Sequence, residues 1–123
     1  MGQLGHLESA VMARIWASGR PMLVREVLGD LQLDRPLAYT TVMTVMDNLH
    51  KKGLLTRERD GRAYRYQSAQ TREQYTAELM EDALASSGNS AATLMHFVAQ
   101  IAPEELAGLE AAVARARRRG EQA

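Results

Sequence analysis

AYTTVMTVMDNLHKKGLLTRERDGRAYRYQ, residues 38–67, is the stretch whose pattern decides the fold. Val42, Val45, Met46 and Leu49 fall at i, i+3, i+4 and i+7, the spacing of one helix face, and that face must be buried. The opposite face offers Thr40, Thr41, Thr44, Asp47, Asn48 and Lys51. Hydroxyl residues with a branched Cβ are mediocre helix formers, so helix stability is a poor reason for finding three of them together. Short polar side chains on a bare helix do suit close approach to base edges in a DNA groove. Gly53 can take the left-handed conformation that ends a helix without a Cβ clash. LLTRER and AYRYQ then alternate on either side of Asp60-Gly61, which predicts a β-hairpin turning at that dipeptide.

This hairpin is basic. Between His50 and Tyr66 stand Lys51, Lys52, Arg57, Arg59, Arg62 and Arg65 against Glu58 and Asp60 alone. The whole chain, by contrast, has 15 Lys and Arg and 15 Asp and Glu, so it lacks the overall basic charge of many nucleic-acid binders. The local excess is an electrostatic footprint set in a balanced protein. A second basic run, Arg115 with Arg117 to Arg119, reads as a solvated helix end favoured by the dipole. Tyr64 and Tyr66 fall on one side of the second hairpin strand and are expected to pack on the helices, leaving Arg65 to reach outward.

Upstream, Leu7, Val11 and Ile15, with Trp16 beside them, predict a first amphipathic helix over His6 to Ser18, stopping before Gly19. Trp16, the single tryptophan, reads as a core anchor. Pro21-Met22 reads as a short bridging strand. Val24, Val27, Leu28 and Leu31 give a second helix from about Leu23 to Leu31, and Asp34-Arg35-Pro36 a turn. Three short helices followed by a hairpin match a helix-turn-helix with a β-wing, whose third helix enters the major groove.

Beyond Gln67 the chain becomes helical and alanine-rich. Thr71-Arg-Glu-Gln resembles a capped start to a fourth helix with Tyr75, Leu79, Met80, Ala83 and Leu84 on one face. Ser87 to Ser90 reads as a loop. Leu94, Phe97, Val98 and Ile101 mark a fifth helix, and Pro103-Glu104-Glu105 opens a sixth lined by Leu106, Leu109, Val113 and Ala116. Three helices with apolar faces and short connections enclose too little interior to bury those faces. Tyr75, Leu79, Leu94, Phe97, Val98, Ile101, Leu106, Leu109 and Val113 are therefore expected to pair with a second copy of the chain. The expected architecture is mainly α with a small β-wing: a winged helix-turn-helix domain over residues 1–70 and a helical dimerisation segment over residues 71–123.

At 123 residues with 46% apolar and 24% charged side chains, the chain should fold by burial, and no apolar run reaches the length of a membrane span. MGQLGHLESA has no basic segment followed by an apolar one, which points to the cytoplasm. The absence of cysteine excludes disulfides and thiolate metal sites. His6, His50 and His96 have no joint metal spacing, and no nucleophile motif or glycine-rich phosphate loop occurs. No enzyme and no cofactor is expected. The rival reading keeps the fold but turns the same face toward another protein, without specific DNA binding.

The quoted stretch, together with LESAVMARIW of the first helix, resembles the penicillinase and methicillin-resistance repressors, the BlaI/MecI family of winged-helix proteins. The likeness spans nearly the whole chain and is most specific in TTVMTV, KKGLL and GRAYRY. It implies a homodimeric transcriptional repressor on a palindromic double-stranded DNA operator, paired through the C-terminal helices. By position, the base-reading helix runs from Tyr39 through Leu49, with Thr40, Thr41, Thr44 and Asn48 in the groove. Met43 and Asn48 stand where some members carry basic residues. Phosphate contacts then fall to Lys51, Lys52, Arg57, Arg59, Arg62 and Arg65. The resemblance also implies β-lactam-responsive antibiotic-resistance genes and a membrane sensor protease that cuts the tail at an Asn-Phe bond. The counterpart here is His96-Phe97, which keeps the phenylalanine and not the asparagine. A copper-responsive branch uses a cysteine cluster, which this chain cannot form.

Overall fold

The computed structural model describes residues 4–33 and 36–122. Its elements run α1 (His6–Ser18), β1 (Met22–Leu23), α2 (Val24–Leu31), α3 (Tyr39–Lys51), β2 (Leu55–Asp60), β3 (Ala63–Ser68), α4 (Arg72–Ala85), α5 (Ser90–Gln100) and α6 (Pro103–Gln122). One compact unit reaches to Met80 and a second begins at Glu81. Asp34 and Arg35 of the expected turn lie outside the described residues.

In the first unit, α1 turns its Val11, Met12 and Ile15 inward and stops where Gly19 goes left-handed at φ 65°. Val27 and Leu31 of α2 and Val42, Met46 and Leu49 of α3 meet them. Leu55 and Tyr66 of the sheet, with Leu54 just before it, close the core. The sheet is antiparallel in the order β1-β3-β2, with Met22 opposite Tyr66 and Arg57 opposite Tyr66 on its other flank. The bridging strand thus includes Leu23 in place of Pro21, since proline has no N–H to donate. The hairpin turn is also one residue later than expected. Asp60 pairs with Ala63, so Gly61 and Arg62 are the central pair, and Gly61 supplies the positive φ of 64° that a primed hairpin turn needs at its first position.

α4 begins on a reciprocal cap: the Thr71 hydroxyl accepts from Gln74 N–H at 3.0 Å and the Gln74 side chain accepts from Thr71 N–H at 2.8 Å. Its first turns belong to the first unit. Tyr75 is buried with its ring centre 5.5 Å from that of Trp16, and Leu79 packs on the same core. Trp16 donates its indole N–H to Gln70 O at 3.1 Å. Of the nine residues expected on a dimer face, Tyr75 is thus buried in this unit's core and Leu79 is half-buried against it. The compact unit extends past residue 70 to Met80, with Gln70 O and Tyr75 both against Trp16.

In the second unit Asn89 caps α5 by accepting from Ala92 N–H at 3.0 Å, and Pro103 with two acids opens α6. Neither α5 nor α6 has a buried residue. Among the described residues no helix is long and apolar enough to cross a membrane.

Candidate nucleic-acid interface

α3 owes its presentation to its neighbours. With Val42, Met46 and Leu49 fully buried, its other side must face outward. Thr40, Thr41, Thr44 and Asn48 are all exposed, and their side chains make no hydrogen bond to the described residues. Tyr39 is exposed as well, at 48%. The hydroxyl and amide groups are free to meet a ligand's own donors and acceptors, as base edges require.

The cations expected to meet phosphate divide into two groups. Arg57 is half-buried and donates to Asp47 Oδ1 of α3 at 3.1 Å and to Tyr66 Oη at 3.3 Å. Its guanidinium lies 4.2 Å from the Tyr64 ring centre. The Tyr66 hydrogen bond comes first among the causes that raise its pKa, ahead of Asp47. Asp47 also receives Lys51 Nζ at 3.0 Å. Hydrogen bonding from Lys51, then from Arg57, holds the Asp47 carboxyl below its usual range. Arg65 does not simply reach outward. It donates to Asp60 Oδ2 at 2.7 Å and lies 3.5 Å from Glu26 Oε1 of α2. Lys52 donates to Glu8 Oε2 of α1 at 2.7 Å, the main cause of the lowered Glu8 pKa. Glu26 is held low chiefly by the Leu23 N–H at 2.8 Å.

Arg57 thus ties the wing to α3, Arg65 ties it to α2, and Lys52 ties the end of α3 to α1. Lys51 keeps most of its side chain in solvent. Arg59 leans on Gly61 O at 3.3 Å and Arg62 stands in the exposed turn, neither with a carboxylate partner among the described residues. An additional cation, Arg25 of α2, is exposed and equally unpaired. It lines a cleft of about 330 Å³ with Tyr39, Met43, Arg62 and Tyr64. Its sequence signal is its position: a cation in the first turn of α2 opposes the helix dipole, so local stability does not account for it.

The residues expected to pair two copies have diverse settings. Leu94, Phe97, Val98 and Val113 are exposed, Phe97 at 46%. Ile101, Leu106 and Leu109 are half-buried within their own unit. His96 and Phe97 occupy the body of α5. Among the described residues no group of three or more His, Cys, Asp or Glu could hold a metal.

Three comparisons bear on this geometry. The solved structure of a MarR family protein from Bacillus stearothermophilus matches with a TM-score of 0.51 at 17% identity, covering 98% of this chain and 77% of that one; it shares the winged-helix fold. A protein described as transcriptional regulator BlaI, from Mycobacterium tuberculosis strains CDC 1551 and H37Rv alike, is 45% identical over 115 residues, 91% of this chain and 83% of the relative. The penicillinase repressor family model matches residues 4–115, in keeping with transcriptional regulators and not with enzymes. The winged-helix fold, with its exposed α3 face and basic hairpin, agrees with these two sequence matches, and the chain belongs to the penicillinase repressor family.

Proposed function

We propose that this protein is a dimeric transcriptional repressor that grips a two-fold symmetric operator with two winged helices. The observation that carries the reading is the outward face of α3, where Thr40, Thr41, Thr44 and Asn48 stand exposed with no side-chain hydrogen bond among the described residues. Tyr39 flanks them, and Lys51, Arg59 and Arg62 supply the cations left available for phosphate. Lys52, Arg57 and Arg65 serve mainly to hold that face in place.

Pairing rests on the second unit. Leu94, Met95, Phe97, Val98 and Val113 leave apolar surface in water, and neither of its complete helices buries a residue within one chain. A second copy covers such a surface economically, and two-fold pairing matches a palindromic site. Inactivation by scission at His96-Phe97 requires α5 to open first, since the bond lies in regular helix. A membrane sensor protease that cuts this tail, and so releases β-lactam-response genes from repression, is the partner that the family likeness suggests.

The test is selection of duplexes from a random pool by the full chain, followed by footprinting. Protection of two symmetric half-sites about 10 base pairs apart, or a multiple of that, is the expected result. Binding that never discriminates among sequences would refute the reading and favour a protein-facing surface.

A further inference from the structure

We propose that Arg25 and Arg62 form a clamp on the DNA sugar-phosphate backbone, set in the cleft between α2, the start of α3 and the wing. The clamp rests on the DNA-binding reading above and adds a contact from α2 to it. Arg25 comes from the first turn of α2 and Arg62 from the tip of the hairpin, yet both line one cleft of about 330 Å³ with Tyr39, Met43 and Tyr64. Among the described residues no carboxylate lines that cleft. Of the other lysines and arginines of the wing and of the end of α3, Arg57 is tied to Asp47, Lys52 to Glu8 and Arg65 to Asp60 and Glu26, while Lys51 touches Asp47 from a largely solvated side chain and Arg59 has no carboxylate partner among the described residues.

Neighbouring carboxylates make the contrast sharper. Glu26 follows Arg25 directly in sequence, but its oxygens are taken by Leu23 N–H, Arg20 and Arg65. Arg25 is left without a carboxylate partner among the described residues, in a concave setting. Two guanidinium groups on one cleft favour an anion, and a fork of N–H donors fits phosphate oxygens. A phosphodiester strand is the anion that matches, because the same cleft opens beside Tyr39 at the entrance of the reading helix. A phosphate held there would fix how deep α3 sits in the groove, without reading sequence itself.

The experiment measures anisotropy of labelled duplexes of about 20 base pairs, two helical turns, against salt concentration for the full chain. One duplex carries a selected sequence and the other a scrambled one. R25A should reduce the slope of log affinity against log salt by on the order of one unit, equally on both duplexes. R62A should do the same, and R25K should keep most of the slope because the charge remains. An R25A slope equal to the wild type would overturn the clamp while leaving the repressor reading intact. A loss confined to the selected duplex would also overturn it, since that is the mark of a base contact. Failure of the wild-type chain to bind either duplex would sink both readings together. Arg25 is exposed, so R25A is expected to melt like the parent, and R25Q provides a second charge-free variant.

Discussion

Thr44 lies near the middle of the outward face of α3, exposed and with its hydroxyl unbonded among the described residues. If it meets a base edge, Thr44→Ala should weaken binding to a selected operator by about 1–3 kcal/mol while leaving the melting temperature unchanged. Equal affinity in a titration would take Thr44 off the reading face. Tyr75 presents the opposite case. Its ring lies tilted against Trp16 in the core, but its hydroxyl is buried without a hydrogen-bond partner among the described residues, and burial pushes the phenol pKa up. Removing an unpaired buried hydroxyl can be neutral or favourable, so Tyr75→Phe should hold or raise stability, by up to about 1 kcal/mol. Tyr75→Ala leaves a cavity and should cost about 3–5 kcal/mol. Denaturant melts of the two variants separate a packing role from a polar one. A Phe variant as damaged as the Ala variant would show that the hydroxyl has a partner after all.

Between elements, three carboxylates act as ties: Glu8 joins α1 to Lys52 after α3, Asp47 joins α3 to the wing, and Glu26 joins α2 to Arg65 of β3. All three have pKa values below the ordinary range in the folded chain. A depressed carboxylate contributes stability above its unfolded pKa and loses it as pH falls through the folded value. Thermal melts from about pH 7 down to about pH 3 should therefore fall off below the ordinary carboxylate range. Glu8→Gln and Asp47→Asn should each flatten that decline; a decline as steep as the parent's would deny the ties. These ties mark the limit of what the linear sequence discloses. Helix faces follow from periodicity, so Val42, Met46 and Leu49 were legible as core and the threonines as surface. Lys52 and Glu8 stand 44 positions apart, and no pattern along the chain announces that they meet. For the same reason Arg57 and Arg65 looked like free cations and are struts, whereas Arg25 drew no notice. The hairpin was legible to within one residue, because Asp-Gly marks a turn without saying which of the two begins it.

For the molecule as a whole, the position of α4 determines how the chain can be divided. Tyr75 and Leu79 pack with Trp16 and the winged-helix core, while Leu94, Met95 and Phe97 lie exposed on α5. A chain ended after residue 70 would strip Trp16 of its ring partner and should lose stability. A chain ended after Met80 keeps that contact and should remain folded. It should also be monomeric, because the exposed apolar helices are gone. Two linked heads raise the effective concentration of the second at its half-site, so affinity for a symmetric operator should fall by a factor on the order of 10² to 10⁴ in the shortened chain. Affinity for a single half-site should barely change, since the reading face, wing and Arg25 cleft are all retained. Sedimentation of both chains, with titrations on full and half operators, reads these effects separately. A shortened chain that still sediments as a dimer would place the pairing surface in the winged helix and overturn the assignment to α5 and α6. One that is monomeric yet keeps full operator affinity would show that pairing is not what secures the grip.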